Sequence, residues 1–324
     1  MDTLLLTRSE VEQLLSPQAL LSELRTAFAA YSMGRTVDAL RVPVRLPSHL
    51  VPAGASGMVL APGLVPGIPA YSIKVHAKFP TEQPAIRGVL ILHSLDTGEP
   101  LAVIESSYLT ALRTGLAGAL GADVLAVADA SRVAIVGAGV QGRAQLSALR
   151  SVRPIREVKV FDTSPLAIES FARDPVCTGL EVTASQSLED ALDGCQIAVT
   201  ATWAQQPFLF RRHLRPGLHI TTIGPDQPGK CELSAEVLQA ARVIVDDKRL
   251  AVEMGAVGAA GLGPDSIHAE LGEVIGGTRI GRENELQVTV FGSVGLAFQD
   301  LAAGWLAYTL AIEQQIGQRF DLLA

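Results

Sequence analysis

The sequence predicts an α/β protein in which a doubly wound parallel Rossmann sheet is joined to a discontinuous α+β domain. Three observations carry this prediction. The apolar run Arg132–Val136 ends in a G-x-G-x-x-G turn, strand and helix patterns alternate after that turn, and short apolar segments split by Pro and Gly precede it. A chain of 324 residues also exceeds the usual size of a single core, so two domains are expected.

The first segment of the chain predicts two helices. Thr7 or Ser9 can cap a short helix over residues 10–15, and Pro17 begins an amphipathic run that continues to Tyr31. Gly34 is expected to end this second helix.

Residues 42–104 indicate a mostly antiparallel sheet. The expected strands are 42–46, 57–61, 70–75, 89–93 and 101–104, and Asp96-Thr-Gly98 supplies a hairpin turn between the last two. A long helical run rich in Ala and Leu follows at 108–128.

From residue 132 onward the pattern is typical of a doubly wound parallel sheet. Strands are expected at 132–136 and 157–161 and near residues 181, 197, 219 and 243, with helices at 140–149 and 165–172. A last helix, about 296–315, has no sheet of its own to cover and is expected to return to the first domain. The predicted domains are therefore 1–118 with 297–324, and 119–296.

The glycine turn predicts a dinucleotide site. Gly137 allows the tight turn, Gly139 lets the backbone approach a pyrophosphate, and Gly142 lets the helix pack on the strand. Asp162 ends the next strand, 20 residues after Gly142, where a carboxylate binds the adenosine ribose and repels a 2′-phosphate. NAD is the expected cofactor, and NADP stays an alternative because the two residues after Asp162 could hydrogen-bond a phosphate. A glycine turn of some other α/β domain is the remaining alternative.

The composition argues against several partners. The net charge is −7 with no basic block, so neither nucleic acid nor an anionic membrane is expected to bind. No stretch approaches 18 uninterrupted apolar residues and the N-terminus has no cleavage pattern, so a cytoplasmic protein is expected. The three cysteines are widely spaced, with no histidine at ligand spacing, which favours free thiols and no metal.

Four charged residues stand in apolar or small-residue surroundings, where burial without a partner is costly: Arg45, Lys74, Arg113 and Asp226. Two guanidinium groups suit a carboxylate, and a desolvated lysine has a lowered pKa and can act as acid or base. Together they suggest an amino-acid or imino-acid ligand. The alternative is that Arg45 and Arg113 are surface or salt-bridge residues and that Lys74 is an outward-facing strand residue.

Two further side chains follow Lys74 on the same strand. His76 shares its face if the strand is regular, and is either a proton relay or a packed histidine. Lys78 has the same parity, but Pro80 is expected to end the strand early and leave Lys78 in solvent.

Several motifs follow one another along nearly the whole chain. In order they are Lys74-Val-His-Ala-Lys-Phe-Pro80, Asp96-Thr-Gly-Glu-Pro-Leu-Ala, Leu109-Thr-Ala-Leu-Arg113-Thr-Gly, the glycine turn, Ile223-Gly-Pro-Asp226-Gln-Pro-Gly-Lys230-Cys-Glu-Leu, and Phe291-Gly-Ser293-Val-Gly. This set resembles the ornithine cyclodeaminase/μ-crystallin family, which includes bacterial alanine dehydrogenases and imine reductases. The resemblance implies a homodimer whose N-terminal domains pair through their sheets, so that the α+β domain serves both substrate binding and dimerisation.

The resemblance also implies roles for individual residues. Arg45, Lys74 and Arg113 would hold a substrate carboxylate and the reacting centre, and Asp226 would handle an amine or a water. Lys74, Asp226 and Arg113 are then the expected catalytic residues. The implied cofactor contacts are Arg113, Gly137, Gly139, Val140, Gln141, Gly142, Asp162, Thr202, Ile223, Lys230 and Ser293.

The implied function is NAD(H)-dependent oxidoreduction at the CH–NH or C=N bond of a small amino or imino acid, as in alanine dehydrogenases and ketimine or pyrroline-carboxylate reductases. The alternatives are a cyclodeaminase that releases ammonia with NAD as catalytic cofactor, and a non-catalytic NAD(P)-dependent binder of small ligands. Val59 argues against the cyclodeaminase, because Val59-Leu-Ala-Pro62 stands where ornithine cyclodeaminases carry Glu-Leu-Met-Pro. A carboxylate for a second, cationic amine is therefore missing. Retention of the charged candidates argues against the binder.

Overall fold

A computed structural model of the chain describes residues 2–34, 40–44, 57–79, 82 and 84–322. Arg45 lies outside the described residues. The chain divides into two compact units, Met1–Arg113 with Leu296–Ala324, and Thr114–Gly295. One unit holds a mixed sheet and the other a parallel sheet, which confirms the predicted fold class. The domain limits at 118 and 297 remain predictions.

The described part of the first unit is built on a seven-stranded mixed sheet. Its strands, numbered along the chain, are β1 (Thr3–Leu6), β2 (Val42–Val44), β3 (Gly57–Gly63), β4 (Ala70–Lys78), β5 (Ile86–Ser94), β6 (Pro100–Glu105) and β15 (Gln318–Phe320). The order is β15-β1-β6-β5-β4-β3-β2; β1 and β6 run parallel and the other neighbours antiparallel. The sequence pattern does not predict β1 and β15, because each is short and depends on pairing with a distant part of the chain.

Among its described residues, three helices belong wholly to this unit: α1 (Arg8–Leu14), α2 (Pro17–Ser32) and α11 (Ala297–Gln314). The Ser16 hydroxyl caps α2 by accepting the N–H of Ala19 at 3.2 Å. Phe298 of α11 packs against the rings of Phe28 and Tyr31 in α2, with centroids 5.1 and 4.9 Å away. The last helix thus lies in the first unit, as its lack of a sheet of its own predicts.

The second unit is an eight-stranded parallel sheet. Its strands are β7 (Arg132–Val136), β8 (Glu157–Phe161), β9 (Glu181–Ala184), β10 (Ile197–Thr200), β11 (His219–Thr222), β12 (Arg242–Val245), β13 (Ala269–Glu270) and β14 (Thr289–Gly292). The order is β13-β12-β14-β11-β10-β7-β8-β9. Alternate residues of β7 enter two separate apolar clusters, Val133 and Ile135 in one and Ala134 and Val136 in the other, so both faces of the sheet are covered.

The helices that cover this sheet are mostly short. They are α4 (Val140–Leu149), α5 (Pro165–Ala172), α6 (Leu188–Leu192), α7 (Ala235–Ala240), α8 (Lys248–Glu253), α9 (Ala256–Ala259) and α10 (Leu271–Ile275). The long helix α3 (Ser106–Leu125) passes from the first unit into the second, and three 3₁₀ turns occur at Pro175–Cys177, Arg211–His213 and Pro264–Ser266. Among the described residues no helix is long and apolar enough to cross a membrane.

The order of the parallel sheet places a topological switch point at β7. The chain leaves β7 toward β8 on one side, and β10 pairs with β7 on the other side. Open α/β sheets bind their ligands at the carboxyl ends of the strands at such a point. The glycine turn follows β7, and Thr202 follows β10.

Candidate active site

The glycine turn after β7 has the geometry that a dinucleotide requires. Gly137 has a φ of +107°, and a Cβ there would lie 2.4 Å from the carbonyl oxygen of Ala201. A Cβ at Gly142 would lie 2.1 Å from the carbonyl oxygen of Gly137, so α4 packs directly on the turn. A Cβ at Gly139 would meet nothing within 4 Å. Protein atoms therefore crowd two of the three glycines, and the third faces open space, as the predicted approach of a pyrophosphate requires.

The start of α4 adds an electrostatic reason for an anion to bind here. Gly139 is the N-cap of this helix of 10 residues, and Val140 after it is 56% exposed. The first N–H groups of a helix have no partner within the helix and carry the positive end of its dipole. Gln141 has a buried side-chain oxygen without a hydrogen-bond partner among the described residues.

Asp162 is fixed against the glycine turn. Its Oδ2 accepts the N–H of Ala138 at 2.8 Å, and its Oδ1 accepts the N–H of Ser164 at 2.9 Å. Each carboxylate oxygen has a further lone pair, so the group can also accept hydroxyl donors. This placement is the one expected of a carboxylate that binds a ribose.

Glu232 holds the strand ends of β10 and β11, although the sequence does not single it out. Its buried carboxylate accepts the hydroxyls of Thr200 at 2.6 Å and Thr222 at 2.8 Å, and both the N–H and the hydroxyl of Thr202 at 2.7 Å. The single hydroxyl proton of Thr202 is therefore used within the protein. Ile223, the other predicted contact here, continues β11 and donates its N–H to the carbonyl of Thr200 at 3.0 Å.

Asp226 and Lys230 are partners of each other. Lys230 Nζ lies 2.8 Å from Asp226 Oδ1 and 4.2 Å from the ring centroid of Trp203. Lys230 is 8% exposed, and Trp203 is 51% exposed. An acid at Asp226 that handles an amine or water would thus do so beside a fixed ammonium group.

Ser293, at the end of β14, is held by a second unforeseen acid. The fully buried Asp246 accepts the Ser293 hydroxyl at 2.8 Å through its Oδ2, together with the N–H groups of Val294 and Gly295. Burial raises the pKa of Asp246 to about 6, and these hydrogen bonds oppose the rise.

In the first unit, Lys74, Arg113 and Asp300 form a buried ion triad. Lys74 Nζ lies 2.6 Å from Asp300 Oδ2, and Arg113 Nε lies 3.0 Å from Asp300 Oδ1. Arg113 Nη1 also donates to the Gln299 side-chain oxygen at 2.7 Å. The exposed fractions of the three charged side chains are 2%, 7% and 2%, so water screens their interaction little.

Three distant segments bring the triad together. Lys74 lies at the middle of β4, where residues alternate between buried and half-buried, and its parity turns it inward. Gln299 and Asp300 lie in the first turns of α11, and Arg113 lies in α3. The alternative in which Lys74 faces outward is therefore wrong, whereas the salt bridge that it allowed for Arg113 is present, with Asp300 as the partner.

The surroundings of Lys74 in the triad shift the pKa of its amine. This pKa is lowered from 10.5 to about 7, mainly by burial and to a smaller extent by the charge of Arg113, while Asp300 opposes both effects. Burial alone would raise the pKa of Asp300, but Arg113 and Lys74 outweigh it, and the pKa lies below its usual value. Near neutral pH the triad thus contains a carboxylate, a guanidinium group and an amine that can both give and take a proton.

His76 and Lys78 continue the buried face of β4. Lys78, expected in solvent, is 2% exposed, because β4 stays regular to this residue. His76 is 5% exposed, and neither ring nitrogen has a hydrogen-bond partner among the described residues. Burial, and then the charge of Lys74, lowers the pKa of His76 to about 3, so the ring is neutral at pH 7 and a relay through its charged form is disfavoured.

Sequence reasoning misses the acids that organise both units. Asp300 stands among apolar and small residues near the start of the helix Ala297–Gln314, whose other acid, Glu313, lies at its far end. The criterion that selects Lys74 and Arg113 would therefore also have found Asp300. Asp246 ends an apolar strand, which is a weaker signal. The described part of the chain contains no group of three or more His, Cys, Asp or Glu placed to hold a metal ion.

The model of the ornithine cyclodeaminase/mu-crystallin family matches residues 1–315. The chain belongs to this family. The resemblance inferred from its motifs is therefore confirmed. An alanine dehydrogenase of Archaeoglobus fulgidus is 34% identical to it over 98% of each chain.

Solved structures of related enzymes share the whole fold. An archaeal alanine dehydrogenase, described as a dimer with bound NAD, is 33% identical over all of both chains, with a TM-score of 0.92. The Δ¹-pyrroline-2-carboxylate reductase of Thermococcus litoralis, in complex with NADH and L-proline, is 30% identical over 98% of this chain and 99% of its own, with a TM-score of 0.91. A lysine cyclodeaminase that recognises L-lysine, L-ornithine and L-2,4-diaminobutyric acid is 27% identical over 99% and 96%, with a TM-score of 0.88.

Substitution of single glycines should separate cofactor binding from folding. Gly139→Ala should keep the melting temperature but weaken NAD binding, because its methyl group enters the open space at the turn. Gly142→Ala should destabilise the fold by about 1–3 kcal/mol, because its methyl group meets a backbone oxygen. Calorimetric titration with NAD and thermal melts measure both effects. Gly263→Ala, also in open space, is the control; undiminished NAD affinity in Gly139→Ala would contradict the assignment of the turn.

Loss of the central carboxylate should change both stability and titration. Asp300→Asn leaves two buried cations without their anion and should cost about 3 kcal/mol of unfolding free energy or more. Because Asp300 raises the pKa of Lys74, its loss should also move the pH dependence of turnover to lower pH. Denaturant melts and pH–rate profiles measure these effects.

The control for this experiment is Glu12→Gln. Glu12 pairs with Arg8 at 2.8 Å in the first unit, with 42% and 55% of the two side chains exposed, so its loss should cost about 1 kcal/mol or less. An Asp300→Asn protein as stable as this control, with an unshifted pH profile, would show that the triad is not the organising interaction.

Proposed function

We propose that the protein is an NAD(H)-dependent oxidoreductase that acts on the CH–NH or C=N bond of a small amino or imino acid. The observation that carries the proposal is the triad, in which the desolvated amine of Lys74, with a pKa of about 7, is held beside the guanidinium group of Arg113. The dinucleotide turn and the alanine dehydrogenase and imine reductase among its relatives support the same function.

Arg113 is suited to hold the substrate carboxylate. Its bonds to Asp300 and Gln299 use two of the five N–H groups of a guanidinium, and the others can serve a carboxylate. Two cations share the single charge of Asp300, so the triad is positive whenever Lys74 is protonated. Arg45 is proposed as a second carboxylate ligand on the basis of the family resemblance alone.

Lys74 is proposed as the proton donor and acceptor. In the reductive direction its ammonium form would protonate the substrate nitrogen, and in the oxidative direction its amine would take that proton back. Asp226, steadied by Lys230, would position the amine or the water that adds to the C=N bond. The bound cofactor supplies or accepts the hydride at the substrate carbon.

The nucleotide is proposed to bind at the glycine turn. The N–H groups at the start of α4, including those of Val140 and Gln141, would take the pyrophosphate, and Asp162 the ribose. Thr202, Ile223, Lys230 and Ser293 would contact the remainder, and Arg113 is proposed to reach the cofactor as well as the substrate.

A cyclodeaminase is the second candidate, since the lysine cyclodeaminase shares the fold. The surroundings of Val59 count against it. Val59 is 7% exposed and packs in an apolar cluster with Ala61 and Ala297, so it provides no charge for a second amine.

A substrate panel with purified protein tests the proposal. NADH consumption is expected with pyruvate plus ammonium or with a five- or six-membered cyclic imino acid. Ammonia release from ornithine or lysine without net NADH would indicate the cyclodeaminase instead. Tight NAD binding without turnover of any substrate would indicate a ligand binder.

The pH dependence should report Lys74. For reduction of a preformed cyclic imino acid, kcat/KM should fall as the pH rises through about 7, because the acid form is lost; for oxidation of the amino acid it should rise through the same pH. Lys74→Met should lower kcat by about 10²- to 10⁴-fold and remove this limb of the pH–rate profile, that is, the change in kcat/KM near pH 7. The affinity for NAD should be unchanged. Lys78→Met, on the same buried face, should keep the limb; a limb that survives in Lys74→Met would assign the proton to another group.

We also propose that the protein is a cytoplasmic homodimer that pairs through the outer face of the seven-stranded sheet. Its three cysteines are unpaired, which suits a reducing compartment. Opposite the buried face, β4 and β5 present a contiguous half-buried or exposed apolar surface: Tyr71, Ile73, Val75, Val89 and Ile91. The archaeal alanine dehydrogenase is described as a dimer.

Light scattering tests the dimer. The wild-type mass should be twice 34.1 kDa, and Ile73→Glu should give a folded monomer, because it buries a charge in the interface. Leu166→Glu, a 76% exposed position in the second unit, should leave the mass unchanged. A dimer that survives Ile73→Glu would place the interface elsewhere.

A further inference from the structure

The imidazole of His76 is a buried polar group whose partner is missing. Both ring nitrogens are inaccessible to solvent and lack a hydrogen-bond partner among the described residues. Native proteins rarely leave such groups unsatisfied, because each one loses its bonds to water without replacement. A buried side chain of this kind beside a proposed catalytic lysine points to a ligand.

The strands on either side of His76 do not supply a polar side chain. Val59 of β3 and Gly88 of β5 are its partners in register. Val59 belongs to an apolar cluster, and a Cβ at Gly88 would lie 2.6 Å from the Cβ of His76. On α11, the carboxylate of Asp300 is already engaged by Lys74 and Arg113.

The charges around His76 are mostly positive. Lys74 and Lys78 flank it on β4, Arg41 also acts on it, and the negative charge of Asp300 opposes them. The ring therefore stays neutral and offers one N–H donor and one nitrogen acceptor. A cationic group on a ligand is disfavoured here, whereas an oxygen that accepts or donates a hydrogen bond is favoured.

The distance along β4 indicates which part of a substrate would reach the ring. Residues two apart on a strand lie roughly 7 Å apart on the same face. If Lys74 and Arg113 hold the reacting nitrogen and the carboxylate, His76 lies about one side-chain length beyond them. Its partner would then be on the substrate side chain.

We propose that His76 is a specificity-determining residue that hydrogen-bonds an oxygen on the side chain of the amino or imino acid. This inference rests on the proposed function. It predicts a preference for substrates with a hydroxyl or carboxylate oxygen on the side chain over apolar substrates of the same size. A site built to bind such an oxygen rejects an analogue without it, because its own polar groups are then left unpaired.

Pairs of 2-oxo acids of similar size test the inference, with NADH and ammonium as co-substrates. Hydroxypyruvate and 2-oxobutyrate differ by a hydroxyl in place of a methyl group, and oxaloacetate presents a carboxylate. The wild-type kcat/KM should be about 10- to 100-fold higher for hydroxypyruvate or oxaloacetate than for 2-oxobutyrate. Whichever of hydroxypyruvate and oxaloacetate has the higher kcat/KM shows whether His76 binds a hydroxyl or a carboxylate.

Variants of His76 provide the control. In His76→Leu the ratio of kcat/KM between the oxygen-bearing and the apolar substrate should fall toward one, whereas His76→Gln should retain part of it. Thermal melts and NAD titrations report whether each variant is folded. If His76→Leu does not fold, the inference is tested by the ratio of kcat/KM between these substrates in the wild-type protein and in His76→Gln.

The outcomes separate this inference from the proposed function. Turnover of 2-oxobutyrate at least equal to that of hydroxypyruvate and oxaloacetate would overturn the role of His76 and leave the oxidoreductase intact. A preference that survives in His76→Leu would do the same. Absence of turnover on these acids and on cyclic imino acids would overturn both.

Discussion

The carboxylate of Asp300 is the interaction on which the first unit depends. The regular alternation of β4 turns Lys74 into the interior, and α3 brings Arg113 to the same place. Two buried cations without an anion would strongly destabilise the folded protein. Asp300 supplies the anion from a helix near the end of the chain, so the return of α11 to the first unit is a requirement of the site as well as of the fold.

The same interaction sets the chemistry. Without a counter-ion, burial beside Arg113 would keep Lys74 neutral, and it could not serve as an acid near pH 7. With a fully solvated carboxylate partner it would stay protonated. A desolvated amine that shares one carboxylate with a guanidinium lies between these limits, at a pKa of about 7. Proton transfer in either direction is then accessible under one set of conditions.

The second unit repeats this arrangement around its polar groups. Thr202 donates to Glu232, Ser293 to Asp246, and Lys230 to Asp226. Each of these predicted cofactor contacts is thus fixed by an acid before any ligand arrives. Groups held in this way lose little freedom on binding, which is the usual basis of preorganised sites.

Local patterns predict much of this molecule, and long-range pairing accounts for most of what they miss. The steric roles of Gly137 and Gly142 follow from rules that act within a few residues, and backbone atoms crowd both glycines in the structure. The contact of Gly139 with a pyrophosphate stays a prediction. Asp300 carries the same kind of local signal as Lys74 and Arg113, but its pairing with them, 226 and 187 positions away along the chain, does not follow from that signal. The pairing of β1 with β15 is equally remote. Lys78 is misjudged for a local reason: Pro80 follows the end of β4 and does not shorten it.

The most direct test of the account is the titration of the Lys74 amine itself. The chain has five lysines, so the ¹³Cε signals of a lysine-labelled protein can be assigned by comparison with the Lys74→Met variant. The account predicts that the Lys74 signal titrates with a pKa of about 7 in the protein without substrate. A value near the 10.5 of an ordinary lysine would contradict it, because the amine would then be neither desolvated nor governed by the triad.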